Sequence, residues 1–168
     1  MPELVTALLD ITLLSNFAHV ERPDVLLSVL RDAATTPQVL DELREGERLG
    51  LVPLCDWSWL PIWTPTQDEM RVAAAWAQQL DPGEAECLAV AQARRCRFLS
   101  DDAAARQFAE GQGLVVSGTL GVLLKAVKIG VLRMNAADEL LHAMIGRGYR
   151  APVRSLREIA GTIGEQSG

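Results

Sequence analysis

Histidine is nearly absent: His19 and His142 are the only two in 168 residues. Catalysis through a histidine pair or a Ser-His-Asp triad fits poorly with so few. Cysteine is scarce as well. Cys55, Cys87 and Cys96 are odd in number and form no CxxC pair. That excludes a zinc ribbon and a disulfide framework and points to a reducing cytoplasm. Positive charge is short, with 16 Lys and Arg against 22 Asp and Glu and a net charge of −6. A protein that coats duplex DNA by bulk electrostatics is usually basic, so that role is disfavoured. Long apolar runs are missing too. The first twenty residues are interrupted by Glu3 and Asp10, and no basic stretch precedes them, so neither a signal peptide nor a membrane span is expected.

What is present is a globular composition, with 49% hydrophobic and 23% charged residues. The length suits one domain, expected over residues 1–163 with a frayed tail over 164–168. Leu4 to Leu9 reads as a buried strand closed by Asp10, with a helix starting near Thr12. Pro23-Asp24 opens a helix to about Arg31. Thr36 is placed to cap a helix that starts at Pro37 and stops at Gly46. Leu49 to Pro65 is irregular, with a possible short strand at Leu60–Trp63. Thr66 and Glu69 form a capping box for a helix to Leu80. Asp81-Pro82 opens a helix to Arg94, and Arg97 to Ser100 is a strand ending at Asp101-Asp102. Ala103–Glu110, Leu120–Lys128 and Ala136–Ile145 read as helices, and Leu114–Val116 as a strand. Strands alternating with helices imply an α/β fold with a central parallel sheet covered on both sides.

Ligands in such sheets bind outside the carboxyl ends of the strands. Asp10, Asp101 and Asp102 sit there, and Glu42, Glu84 and Glu86 lie near helix starts. Mg²⁺ or Mn²⁺ takes oxygen ligands and keeps several waters, so a few converging carboxylates suffice to hold it. Two such ions clamp both oxygens of an in-line phosphodiester displacement. Glu84 and Glu86, two residues apart on a helix, point about 200° apart, so only one faces a given site, and Glu84 is preferred. Each acid keeps a plainer alternative: Asp101 or Asp102 as the cap of the next helix, Glu84 as a dipole partner, Glu42 as a surface residue. Thr12 and Ser15 are candidates for binding a phosphate or a metal-bound water, or else for capping. Thr119 follows Gly118 at a helix start, where backbone N–H groups cradle phosphates. Arg106 is a candidate for substrate phosphate, with an ion pair to a neighbouring acid as the preferred alternative. Arg94, Arg95 and Arg97, with Lys125 and Lys128, offer an RNA-backbone contact or simply a solvated face. Trp57, Trp59 and Trp63 are expected to form a satellite core.

Ordered motifs sharpen this reading. Leu8-Leu9-Asp10-Ile11-Thr12 resembles the first motif of PIN domains, and Thr36-Pro37-Gln38-Val39-Leu40-Asp41-Glu42 resembles the second. Leu80-Asp81-Pro82-Gly83-Glu84-Ala85-Glu86, Asp101-Asp102-Ala103-Ala104-Ala105-Arg106 and Gly118-Thr119-Leu120-Gly121 resemble the GEAE, DDxxAR and GTLG segments of one PIN subgroup, the predicted nucleic-acid-binding proteins. The resemblance implies a three-layer α/β/α fold with a parallel sheet of four or five strands. It implies Mg²⁺- or Mn²⁺-dependent cleavage of single-stranded or structured RNA, with Asp10, Glu42, Glu84 and Asp101 as catalytic acids. Glu86 and Asp102 join Asp10, Glu84 and Asp101 as metal-binding acids. It also implies similarity to VapC-type toxins, which pair with a small antitoxin and often form homodimers. The alternative is a non-catalytic PIN-like module that binds RNA or protein. Two departures stand out: Asp10-Ile11-Thr12 replaces the Asp-Thr-Asn of many such toxins, and Glu84 replaces an aspartate.

Overall fold

A computed structural model of the chain describes residues 6–164. Its elements alternate as expected. They are β1 (Ala7–Leu9), α1 (Ile11–His19), α2 (Pro23–Val29), β2 (Ala33–Ala34), α3 (Pro37–Arg48), α4 (Gln67–Trp76) and α5 (Pro82–Ala93). There follow β3 (Arg97–Leu99), α6 (Ala103–Gly111), β4 (Val116–Ser117), α7 (Thr119–Lys128), α8 (Met134–Gly146) and α9 (Arg157–Gly164). Leu4 and Val5 of the expected first strand, and residues 165–168 of the expected tail, lie outside the described residues. Gly164 itself closes α9.

The four described strands are parallel, in the order β2-β1-β3-β4. Ala7-Leu8-Leu9 is fully buried, the continuous apolar run of a central parallel strand. Helices cover both sides and complete the three-layer α/β/α architecture; one hydrophobic cluster joins Leu8, Phe17, Leu26, Leu88, Phe98, Leu123 and Leu141. No helix among the described residues is long and apolar enough to cross a membrane.

Several expected boundaries move. Helix α3 runs through Gly46, and the left-handed turn (φ 72°) falls at Gly50. The favourable contact there is the Gly46 carbonyl accepting from the Leu51 N–H at 2.9 Å, which wraps the chain back after the helix instead of stopping it earlier. Helix α4 ends at Trp76, four residues before Leu80. The last strand is Val116–Ser117, shifted by two residues from the expected start, because the Phe98 N–H reaches the Val115 carbonyl. The expected strand near Leu60–Trp63 survives as one parallel bridge, Ile62 to Thr35. The tryptophans form no separate satellite core: Trp57 and Leu60 are buried in the main hydrophobic cluster, and Trp59 and Trp63 pack against it.

Candidate metal centre

The strand register decides which acids meet. The pair Leu9↔Leu99 and the Asp10 N–H donating to the Leu99 carbonyl at 3.0 Å bring Asp10 beside Ser100, while Thr36 lies two residues past Ala34, the last residue of β2. Partners in parallel strands project to the same face, and successive residues project to opposite faces. Asp10 and Ser100 therefore share one face at the carboxyl edge, and Asp101 belongs to the other. The hydrogen bonds agree. Ser100 Oγ donates to Asp10 Oδ2 at 2.8 Å, and Thr12 Oγ1 donates to the same oxygen at 3.2 Å. Thr12 in turn accepts from the Asp101 N–H at 2.8 Å, so the first strand's acid and the third strand's end are tied together.

Asp10 is fully buried, yet its Oδ1 has no hydrogen-bond partner. Burial pushes its carboxyl up to about 6, against the opposing pull of the Ser100 hydroxyl. Glu84, at the start of α5, is pushed up to about 7, first by burial and then by the charges of Asp10 and Asp102. Its Oε2 also accepts from the Asp81 N–H at 3.2 Å. Glu42 is raised in the same way, chiefly by burial. Asp10 thus feels the charge of Glu42, and Glu84 feels those of Asp10 and Asp102, as neighbouring carboxylates do.

The remaining acids have seats of their own. Glu42 Oε1 accepts from the Gly83 N–H at the start of α5 (2.9 Å), and Glu86 Oε1 accepts from the Gln38 N–H at the start of α3 (3.0 Å). The two helices cap each other in trans. Gly83 permits this: a Cβ there would overlap Glu42 Oε2 and lie 2.8 Å from both Oε1 and Cδ. Asp102 Oδ1 caps α6 through the Ala105 N–H at 2.8 Å, the plainer role left open for it.

Asp101 is held differently. It accepts from the Thr119 N–H at 2.8 Å, from the Thr119 hydroxyl, and from Asn16 Nδ2 at 2.8 Å, with Tyr149 Oη at 3.4 Å. Thr119 therefore binds a carboxylate of its own chain. Contrary to the expected ion pair, Arg106 forms none among the described residues. Its Nη1 donates to the Ser100 carbonyl at 3.0 Å. A Cβ at Gly118 would overlap Asp101 Oδ1 and lie 2.6 Å from Arg106 Nη1, so only glycine lets α7 begin this close. Ser15 donates to the Thr12 carbonyl, at 3.2 Å. Arg94 is committed to the fold: it pairs with Glu69 at 2.8 Å, donates to the Thr64 carbonyl and lies 5.1 Å over the Trp63 ring.

Sequence reasoning assigned no site role to Ser100, Asn16 or Thr36. Asn16 and Ser100 had a readable signal, being polar residues embedded in apolar runs, where burial demands a hydrogen-bonding partner. A cavity of about 1020 Å³ is lined in part by Leu30, Arg97, Ser117, Lys125 and Val131, and none of the candidate acids lines it.

A family model, DUF3368, described as a PIN domain, matches residues 6–165. The chain belongs to the PIN-domain family. No curated protein matches it. Among solved structures it is similar to the crystal structure of PAE2754 from Pyrobaculum aerophilum, with 18% identity and a TM-score of 0.51 over 73% of this chain and 90% of that one. That likeness speaks to the fold. The PIN domain is a nuclease-type fold that typically works with divalent metals.

The residues of this PIN domain suit such an ion. The donors are oxygens only, and the buried Asp10 Oδ1 lacks a partner. No three Asp, Glu, His or Cys side chains close into a ready-made cage among the described residues. One or two direct carboxylates with water is how Mg²⁺ is ordinarily held.

Proposed function

We propose that this PIN domain is a Mg²⁺- or Mn²⁺-dependent endoribonuclease acting on single-stranded RNA, the toxin half of a toxin–antitoxin pair. The observation that carries the reading is Asp10. It is a carboxylate with no solvent contact and one vacant oxygen, placed at a parallel sheet's carboxyl edge in the field of Glu42 and Glu84. Burying such a charge without a counter-ion is costly, so the seat is built for a cation.

The bound cation would supply positive charge to a phosphate oxygen and to the attacking water. The protein's own residues do the positioning. Ser100 and Thr12 fix one oxygen of Asp10 and leave the other without a partner. Glu84, pushed up to about 7, is suited to holding or passing a proton near neutral pH. Asp102 is favoured over Asp101 as the acid nearer the ion, because its charge acts on Glu84 while Asp101 is spent on Thr119 and Asn16. Asp101 then braces the start of α7. The proposed partners are an RNA strand, a small antitoxin and a second copy of the chain, in the cytoplasm, as in the toxins that the motifs resemble.

The second reading, a non-catalytic RNA- or protein-binding module, is favoured by one observation. Glu42, Glu84, Glu86, Asp101 and Asp102 all make hydrogen bonds inside the protein. Purified protein incubated with single-stranded RNA and Mn²⁺ separates the two. Cleavage that EDTA stops and Asp10→Ala abolishes supports the enzyme. Intact RNA, bound equally well in EDTA, supports the module.

A further inference from the structure

We propose that Thr36 is a positioning residue of the metal centre, its hydroxyl holding a water of the cation's shell beside Asp10. This rests on the metal-dependent reading above and adds a residue to it.

Thr36 occupies the N-cap position of α3 with extended backbone (φ −119°, ψ 160°), where a threonine side chain ordinarily accepts from the N2 or N3 N–H. It does not do so. Glu86 Oε1 reaches across from α5 and takes the Gln38 N–H, the N2 donor. The Thr36 hydroxyl is released from that duty, and it is left fully buried with no hydrogen-bond partner. The neighbouring Thr35 shows the contrast: its hydroxyl is equally buried and donates to the Leu9 carbonyl at 2.7 Å.

A buried hydroxyl without a partner is a standing cost, and native proteins resolve it with water or an ion. Only four buried side-chain polar atoms among the described residues lack partners, and two of them are Thr36 Oγ1 and Asp10 Oδ1. Both residues lie just past the carboxyl ends of the paired strands β1 and β2, Asp10 after Leu9 and Thr36 two residues after Ala34, each with extended backbone. A vacant carboxylate oxygen and a vacant hydroxyl at the ends of neighbouring strands suit a hydrated cation: the carboxylate would face the metal, and the hydroxyl would orient a bound water. Neighbouring groups that orient a metal's ligands are worth about 10-fold to 100-fold in affinity.

The test is calorimetric titration of Mn²⁺ into metal-stripped wild type, T36V, T36S and D10N, with melting curves of each in EDTA. The expected result is binding by wild type that D10N abolishes, weakened about 10-fold or more by T36V and kept near wild type by T36S. In EDTA, T36V should melt no lower than wild type, since it removes an unpaired hydroxyl without changing shape. Mn²⁺ affinity unchanged in T36V while D10N loses it would overturn the role of Thr36 alone. So would equal losses in T36S and T36V, or a T36V protein that melts well below wild type in EDTA. Wild type that binds no Mn²⁺, or a D10N that binds as well as wild type, would instead bring down the metal-centre reading itself.

Discussion

Asp10→Asn should make the metal-free protein more stable at neutral pH and flatten its pH dependence. The Asp10 carboxyl sits at about 6 in the folded chain against an ordinary value of 3.8. Between these values the folded state binds more protons than the unfolded state, so stability falls as pH rises from about 4 to about 6 and stays low above. A shift of about two units corresponds to about 3 kcal/mol at 1.36 kcal/mol per unit. Asparagine keeps an acceptor for the Ser100 hydroxyl and carries no charge, so most of that cost should vanish. It also relieves Glu84, whose carboxyl is raised in part by the Asp10 charge. The assay is urea unfolding in EDTA at pH 4.5 and pH 7.5, where slopes and midpoints give both free energies. Asp10 should cost wild type about 2 kcal/mol between the two conditions, roughly 1 kcal/mol being lost already at pH 4.5, and Asp10→Asn should lose clearly less. A wild type equally stable at both pH values, or a variant with the same loss, would refute the claim that Asp10 is buried at a cost.

Mn²⁺ at one hundred times its dissociation constant should stabilise wild type by about 2.7 kcal/mol, seen as a melting-point rise that EDTA reverses and Asp10→Asn lacks. Gly118→Ala should cost roughly 1–3 kcal/mol by chemical denaturation, because the new methyl meets Asp101 and the rigid Ser100 carbonyl. Gly83→Ala should cost less, about 1 kcal/mol, since the mobile Glu42 head can swing away and forfeit its hydrogen bond; Mn²⁺ affinity is the more sensitive readout there. Arg94→Lys should lower stability by about 2 kcal/mol through the lost fork onto buried Glu69, with RNA affinity by fluorescence anisotropy unchanged.

Much of the fold was legible because its signals are local. The run Ala7-Leu8-Leu9 before an acid, Pro37 and Pro82 at helix starts, and the Thr66–Glu69 capping box all act within a few residues, and the elements formed where those signals placed them. Gly46 misled because a glycine inside a helix costs only about 1 kcal/mol, which tertiary contacts override. The acids were readable as a set, since strand ends collect ligands, but their division of labour was not. Whether Asp101 or Asp102 faces Glu84 depends on strand parity across β1 and β3, and the trans-capping by Glu42 and Glu86 depends on how two helices meet. Thr36 was hidden by a correct local rule: an N-cap threonine should cap, and only the reach of Glu86 from 50 residues away frees it.

The mutual capping of α3 and α5 has a chemical consequence. Glu42 and Glu86 are met by fixed N–H groups at helix starts, and no described ion pair involves Asp10, Glu42, Glu84 or Glu86. An arginine or lysine can swing in and neutralise a vacant seat; a backbone amide cannot. An arriving ion therefore has no internal rival to evict, and the occupied and empty forms can share one scaffold.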